Sequence, residues 1–368
     1  MENIPLYPNL CVTHKCNLNC VYCYQKHKSN IFMSLETAKK CVDSLYSNFG
    51  NKKIAELSFI GGEPLLNFDV MRGVFEYIHE KGYSPPDHFF ATTNGTILTP
   101  EMKEWFKKHK NEFILGLSLD GTPEVHNKNR SNSFDSIDIQ FFLENYPNQP
   151  IKMTLSEESL SHLAESTIYL HSLGFKIEGM NLAEGDFKWE NKKDILKKEF
   201  SKLVDHYVDN MNIQLDGLFK KALYVCEGKK EITNGWCGTG TTTPFFDVDG
   251  KIYPCSFMTP MTFSKEEIKK IQEADFSLVE THIDNYCLKN CYLYPVCPTC
   301  VGANFLATGS FNTRDKGNKC ELLKLTALFS AIIQAKRIIK GKVEKNAETY
   351  HTINAIKKIY EMYGYLLG

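Results

Sequence analysis

Short apolar runs broken by polar and glycine-bearing stretches recur along the first 215 residues. Leu6–Val12, Glu56–Ile60, His88–Thr92, Phe113–Leu119, Ile151–Leu155 and Lys176–Asn181 read as strands. The text between them places apolar residues at helical spacing. It predicts helices over Ser34–Phe49, Asp69–Lys81, Pro100–His109, Asp135–Asn145, Ser159–Leu173 and Lys192–Met211. Ser34, with Glu36 and Thr37 after it, supplies a helix start, and Gly50 a stop. Strand–helix alternation of this kind predicts a parallel sheet with right-handed crossovers. The repeats fall short of the eight that close a full barrel, so the expected fold is α/β, a partial (β/α)6 barrel over residues 1–215.

From about Gly217 the pattern changes. Cysteine, glycine, proline and asparagine become frequent and the elements shorten. Phe245–Val248 and Lys251–Tyr253 flank Asp249-Gly250, a strong turn signal, and read as a β-hairpin. Helical patterns return over Glu321–Lys340 and Ala347–Tyr363. The second expected domain, residues 216–368, is thus small, cysteine-rich and closed by helices.

Charge adds little. The 43 basic and 44 acidic side chains leave a net charge of −1, which gives no global case for nucleic-acid or membrane binding. Lys192-Lys193 and Lys197-Lys198 alternate with acids and apolar residues, as solvated helix faces do. No segment reaches the roughly 18 apolar residues of a membrane span. No signal-peptide pattern is visible at the N-terminus, so the expected location is cytoplasmic. The 13 cysteines then stand out, because a reducing compartment does not favour disulfides. Metal ligation, catalysis or buried thiols remain. Cys11, Cys16, Cys20 and Cys23 form one group, and Cys237, Cys255, Cys287, Cys291, Cys297, Cys300 and Cys320 another. Cys41 and Cys226 stand apart and read as buried thiols on helices. The histidines show no metal-ligand spacing.

Cys16-Asn-Leu-Asn-Cys20-Val-Tyr-Cys23 follows the first strand. Three thiolates on one loop suit three irons of a four-iron cluster. They also suit zinc if Cys11 is a fourth ligand, although Cys11 falls within the strand. Gly61-Gly62-Glu63-Pro64 ends the second strand, Thr92-Thr93-Asn94-Gly95-Thr96 the third and Ser118-Leu119-Asp120-Gly121 the fourth. Paired glycines let a backbone approach a ligand closely, and α/β folds bind ligands at such strand ends. Glu63 is a candidate acceptor for an ammonium group.

Together these segments resemble the radical S-adenosylmethionine (radical SAM) superfamily. The resemblance implies that Cys16, Cys20 and Cys23 ligate a four-iron, four-sulfur cluster. Its open iron chelates S-adenosylmethionine, which is cleaved to a deoxyadenosyl radical that abstracts hydrogen. It further implies that Tyr22 packs beside the adenine, that Gly61, Gly62 and Glu63 meet the methionyl amino group, and that Ser118 contributes polar contacts. Arg130, in His126-Asn-Lys-Asn-Arg130, is a candidate partner for a carboxylate of cofactor or substrate, or else a surface arginine.

The downstream cysteines resemble the extension called SPASM, with a hairpin ending in Cys255 and a four-cysteine run whose outer gaps are three and two residues. Two auxiliary four-iron clusters are implied. Cys287, Cys291, Cys297 and Cys320 would hold the distal one. Cys237, Cys255 and Cys300 would hold the proximal one, leaving an open iron or a ligand from elsewhere such as Cys226. Enzymes of this kind act mostly on peptides and proteins. One reading is a maturase that crosslinks a ribosomally made precursor peptide, suggested by Cys297-Pro-Thr-Cys300-Val-Gly-Ala-Asn304. A second is an anaerobic sulfatase-maturating enzyme, suggested by Leu117-Ser-Leu-Asp-Gly121 but opposed by Ser256, which stands where those enzymes carry an aspartate base. A radical enzyme acting on a small molecule and a non-catalytic zinc scaffold are the remaining alternatives. The implied partners are the peptide, an electron donor such as flavodoxin or ferredoxin, and a separate leader-binding protein unless the C-terminal helices or the barrel surface serve. The cysteine motif begins by residue 16, which leaves no room for a leader-binding domain before it.

Overall fold

The structure is a computed structural model that describes residues 4–49, 52–184, 189, 191–228, 237–278, 284–313, 319–341, 344 and 346–368. The chain clusters into two compact units. One comprises Met1–Ser118, Arg130–Gln149 and Cys237–Thr281, the other Leu119–Asn129, Pro150–Trp236 and His282–Gly368.

The described strands are β1 (Asn9–Thr13), β2 (Glu56–Gly61), β3 (His88–Thr93), β4 (Phe113–Leu117), β5 (Ile151–Leu155), β6 (Ile177–Leu182), β7 (Phe245–Phe246) and β8 (Ile252–Tyr253). In the first unit they form one sheet in the order β4-β3-β2-β1-β7-β8. β1 to β4 are parallel, β7 adds to β1 in parallel, and β8 returns antiparallel. Leu10, Cys11 and Val12 of β1 are all buried, the both-face burial expected of a covered parallel strand. The hairpin from the cysteine-rich half of the sequence is therefore part of the N-terminal sheet.

Helices α1 (Leu35–Phe49), α2 (Phe68–Glu80) and α3 (Pro100–His109) belong to this unit. Ser34 caps α1 by accepting the Thr37 amide at 3.1 Å. The expected stop, Gly50, lies outside the described residues. The pattern did not announce α4 (Pro123–Asn129), a single short helix after β4. Helix α5 (Ile139–Asn145) starts later than expected, because Asp138 accepts the Phe141 amide at 3.1 Å and caps it there. The core of the unit is aromatic. The Phe113 ring stacks on Phe59 at 5.5 Å and on Phe89 at 5.9 Å, with Trp105 and Phe106 of α3 edge-on to it.

In the second unit β5 and β6 pair in parallel, and Leu119, just past β4, donates to the Lys152 carbonyl at 2.9 Å. All six expected strands form, four in the first sheet and two in this pair. Helices α6 (Leu163–Ser172), α7 (Lys193–Asp209) and α8 (Tyr224–Gly228) follow. After α9 (Lys265–Glu273) of the first unit, the second unit resumes with α10 (Asn285–Asn290), α11 (Val301–Thr308), α12 (Cys320–Lys340) and α13 (Ala347–Tyr363). Phe200 of α7 packs against Phe219 and against Phe329 of α12, and the Ser330 hydroxyl donates to the Phe219 carbonyl at 2.6 Å. No described helix is long and apolar enough to cross a membrane.

Phe113 is fully buried among five aromatic rings. Replacing it with alanine is expected to cost about 3–5 kcal/mol, read as a lowered guanidinium midpoint with unchanged slope.

Candidate functional site

β1 runs directly into the first cysteine loop. The Thr13 hydroxyl donates to the Ile31 carbonyl at 2.9 Å and accepts the Lys15 amide at 3.0 Å. The loop then lies on the end of β2, where the Gly62 amide donates to the Thr13 carbonyl at 3.0 Å and the Glu63 amide to the Lys15 carbonyl at 2.9 Å. A Cβ on Gly61 would sit 2.4 Å from the Thr13 oxygen. One on Gly62 would sit 2.4 Å from the Lys15 oxygen and 2.8 Å from the Cys16 Cβ. Both positions therefore require glycine for close approach, not for an unusual φ. Within the loop, the Leu18 amide donates to Cys16 Sγ at 3.4 Å, the Cys23 amide to the Cys20 carbonyl at 3.1 Å, and the Lys28 ammonium to the Leu18 carbonyl at 3.4 Å. Cys16, Cys20 and Cys23 are all half-buried. Burial raises the Cys16 thiol, the Leu18 amide and Lys28 oppose it, and Glu63 and Cys23 add to it.

Glu63 is 2% exposed. Its carboxylate accepts from the Leu65 amide at 3.2 Å, the Thr93 hydroxyl at 2.8 Å and the Asn94 amide at 2.8 Å. Burial pushes this carboxyl up to about 7, against the pull of those three donors and of Arg130. Glu63 thus ties the end of β2 to the end of β3. The β3 loop in turn grips the cysteine loop, since the Asn94 amide group donates to Asn17 Oδ1 at 2.9 Å and the Asn17 amide group to the Thr96 hydroxyl at 2.8 Å. At the end of β4 the Ser118 amide donates to the Thr93 carbonyl at 2.9 Å. Arg130 is buried, its guanidinium 5.3 Å from the centre of the Tyr22 ring, and the Asn19 amide donates to the Ser131 hydroxyl at 3.0 Å. One end of the sheet therefore gathers Cys16, Cys20, Tyr22, Cys23, Gly61, Gly62, Glu63 and Arg130, with Ser118 on the neighbouring strand end. Three thiols on one loop, backed by main-chain hydrogen bonds, fit the donor set of an iron–sulfur cluster.

The downstream thiols divide between the units. In the first, Cys237 Sγ lies 2.8 Å from the Thr239 hydroxyl. Removal from water raises the Cys255 thiol to about 11, with Cys237 adding to it, while the Met258 and Phe257 amides and the Thr239 hydroxyl oppose it. Thr239 therefore sits beside both cysteines. In the second, the Cys291 amide donates to the Cys287 carbonyl at 3.0 Å, the Thr299 hydroxyl to Cys297 Sγ at 3.7 Å, and the Ala303 amide to Cys300 Sγ at 3.4 Å. Tyr363 lies beside Cys291 and Cys320; burial first, then these thiols, raise its phenol. Cys226 is buried on α8, raised to about 12 by burial and then by Cys291. The Tyr292 hydroxyl donates to Glu227 at 2.6 Å, which keeps the two segments together. None of the thirteen cysteines is in a disulfide. Cys41 is buried in α1, as its apolar neighbours suggested. Sequence reasoning did not join Asn17 to Asn94 and Thr96, which lie 77 and 79 residues further along the chain. It also missed His14, whose carboxylate partner Asp247 is 233 residues away.

Two outcomes follow. Gly62→Ala must displace main chain, so it is expected to destabilise by about 1–3 kcal/mol and to increase thiol labelling at Cys16. The raised Glu63 carboxyl gives a pH signature. Between about pH 4.5 and 7 the unfolded chain releases this proton before the folded one, so Glu63's contribution to stability falls as pH rises. The deficit of Glu63→Gln relative to the parent should therefore be smaller at pH 7.5 than at pH 5, measured by denaturant midpoints.

Residues 10–138 match the model of the radical SAM superfamily. An uncharacterised protein of Methanocaldococcus jannaschii is 27% identical over 66% of this chain and 82% of its own length. The radical SAM cyclopropyl synthase TigE of Paramaledivibacter caminithermalis is 23% identical over 86% of this chain and 72% of its own. A cysteine-type anaerobic sulfatase-maturating enzyme of Clostridium novyi is 25% identical over 77% and 83%. Among solved structures, native anSMEcpe with bound AdoMet superposes with a TM-score of 0.71 at 19% identity, covering 91% of this chain and all of that one. SuiB of Streptococcus suis bound to precursor peptide SuiA gives 0.57 at 15% identity, covering 86% and 76%. The α/β fold with its parallel sheet is that of these partial barrels. Members of the superfamily use S-adenosylmethionine and a four-iron, four-sulfur cluster, and residues 10–138 of this chain form a radical SAM domain.

Proposed function

We propose that this chain is an oxidoreductase that matures a ribosomally made precursor peptide, using S-adenosylmethionine and three four-iron clusters. Residues 1–215 carry the radical chemistry, and residues 216–368 carry the auxiliary clusters as a SPASM domain. Cys16, Cys20 and Cys23 hold the first cluster. Cys287, Cys291, Cys297 and Cys320 hold the distal auxiliary cluster, and Cys237, Cys255 and Cys300 the proximal one, with an iron left open or bound by a group outside this set. When bound, the cofactor supplies an oxidant for an unactivated carbon–hydrogen bond. The protein's own residues hold the geometry. Gly61 and Gly62 let the cysteine loop seat on β2, Glu63 fixes the next strand end, and Arg130 offers a buried cation beside Tyr22 for a carboxylate. Ser118 adds polar contact. An electron donor of the flavodoxin or ferredoxin type supplies reducing equivalents.

The convergence of the cysteine loop, the Gly-Gly-Glu turn and Arg130 at one sheet end carries this reading. Likeness to a cyclopropyl synthase over 86% of the chain, and the fold shared with a peptide-bound enzyme, support the peptide as substrate. A second reading is sulfatase maturation, supported by the sulfatase-maturating relatives. Ser256, next to Cys255, argues against it, because serine without a partner is a poor base.

Anaerobic co-expression with each short peptide encoded beside the gene distinguishes them. A mass loss of about 2 Da per bond formed, absent with Cys16→Ala, is the expected result. A sulfatase peptide that gains a hydrazide-reactive aldehyde, with no change in any neighbouring peptide, would replace the maturase reading.

A further inference from the structure

A buried trio, Cys11, His14 and Asp247, stands outside the proposed cluster-ligand sets. Asp247 follows β7, and the register that places Asn9 opposite Phe245 and Leu10 opposite Phe246 brings it level with Cys11 of β1. His14 Nε2 lies 2.6 Å from Asp247 Oδ1, and the donor atoms of Cys11, His14 and Asp247 all fall within 4.8 Å of one another. Their exposures are 0%, 7% and 3%. The same Asp247 oxygen accepts the Val248 amide at 2.9 Å, and the Ser29 hydroxyl is 3.4 Å from His14 Nδ1. Both ring nitrogens and the carboxylate are thus engaged, as buried polar groups must be. The His14 amide donates to the Ile31 carbonyl at 2.9 Å, and the neighbouring Thr13 carbonyl receives Gly62. This ring therefore fastens to β7 the short segment that leads from β1 to Cys16.

We infer that Asp247 is a positioning residue which, through His14, fixes the Thr13–Cys16 segment, so that the hairpin bearing Cys255 also sets the geometry of the first cysteine loop. The inference goes beyond the peptide-maturase reading and stands whatever the substrate. Removing the carboxylate leaves a buried ring without its partner, and the loop must loosen to hydrate it.

Hydrogen–deuterium exchange on the full chain tests this. In Asp247→Ala, amides of residues 14–25 should exchange about tenfold faster while those of α12 keep their rates. Asp247→Asn retains an acceptor for the ring and should restore most of the protection. If Asp247→Ala is recovered only as aggregate, His14→Gln and Asp247→Asn replace it. His14→Gln should loosen residues 14–25, Asp247→Asn should keep most of their protection, and the double variant should be no looser than His14→Gln alone. Unchanged exchange in 14–25, equal loosening of 14–25 and α12, or additive losses would overturn the inference. So would the loss of one stoichiometric zinc ion from the purified parent on substitution, which would make the trio a metal site.

Discussion

At the carboxyl ends of β1 and β2 two backbones come closer than any side chain between them would allow. The Thr13 and Lys15 carbonyls leave only 2.4 Å to a would-be Cβ at Gly61 and Gly62. That approach turns the Gly62 and Glu63 amides into donors for the cysteine loop. With its backbone so engaged, Glu63 swings its carboxylate beneath the strand ends, where Leu65, Thr93 and Asn94 meet it. Asn94, fixed at its amide, is then free to reach Asn17 with its side chain. Two missing methyl groups thus propagate through a buried acid to three strand ends and back to the loop itself. A buried carboxylate is costly, and its three donors and Arg130 are what let the fold carry it.

The cysteines illustrate how one residue type serves different ends in one chain. Cys41 is sealed in the core of the first unit and behaves as a small apolar side chain, whereas the equally buried Cys11 lies beside His14 and Asp247. Cys16, Cys20 and Cys23 are half-buried together on one loop that is seated on β2 by main-chain hydrogen bonds. Cys300 caps a helix with its sulfur, and Cys291 and Cys320 share Tyr363. Placement by backbone, rather than exposure alone, separates candidate ligands from filler.

The strands, most helices and the strand-end motifs were legible because they are local. An apolar run such as Leu10-Cys11-Val12 is buried on both faces, and Thr99 before Pro100 or Ser34 before Thr37 announces a helix within one turn. What escaped reading is long-range. Nothing near Phe245-Phe246 indicates that these residues lie beside Asn9-Leu10, so a hairpin grouped with the cysteine-rich half proved to be a sheet neighbour of the first strand. His14 looked like one unremarked histidine because its carboxylate is absent from its own stretch of sequence. Asp138 shortened a helix that periodicity had begun at Asp135, since a cap outweighs a weak apolar pattern.

The placement of β7 beside β1 also bears on how the chain is made. β1 leaves the ribosome well before β7, because Asp247, just after β7, follows His14 by 233 positions. At about 5–20 residues per second of translation, β1 waits roughly ten to fifty seconds with one edge open. An unpaired parallel edge rich in apolar residues is a template for the wrong strand. Non-local pairing of this kind also slows folding. The sheet is therefore completed only when the hairpin arrives and β7 pairs with β1.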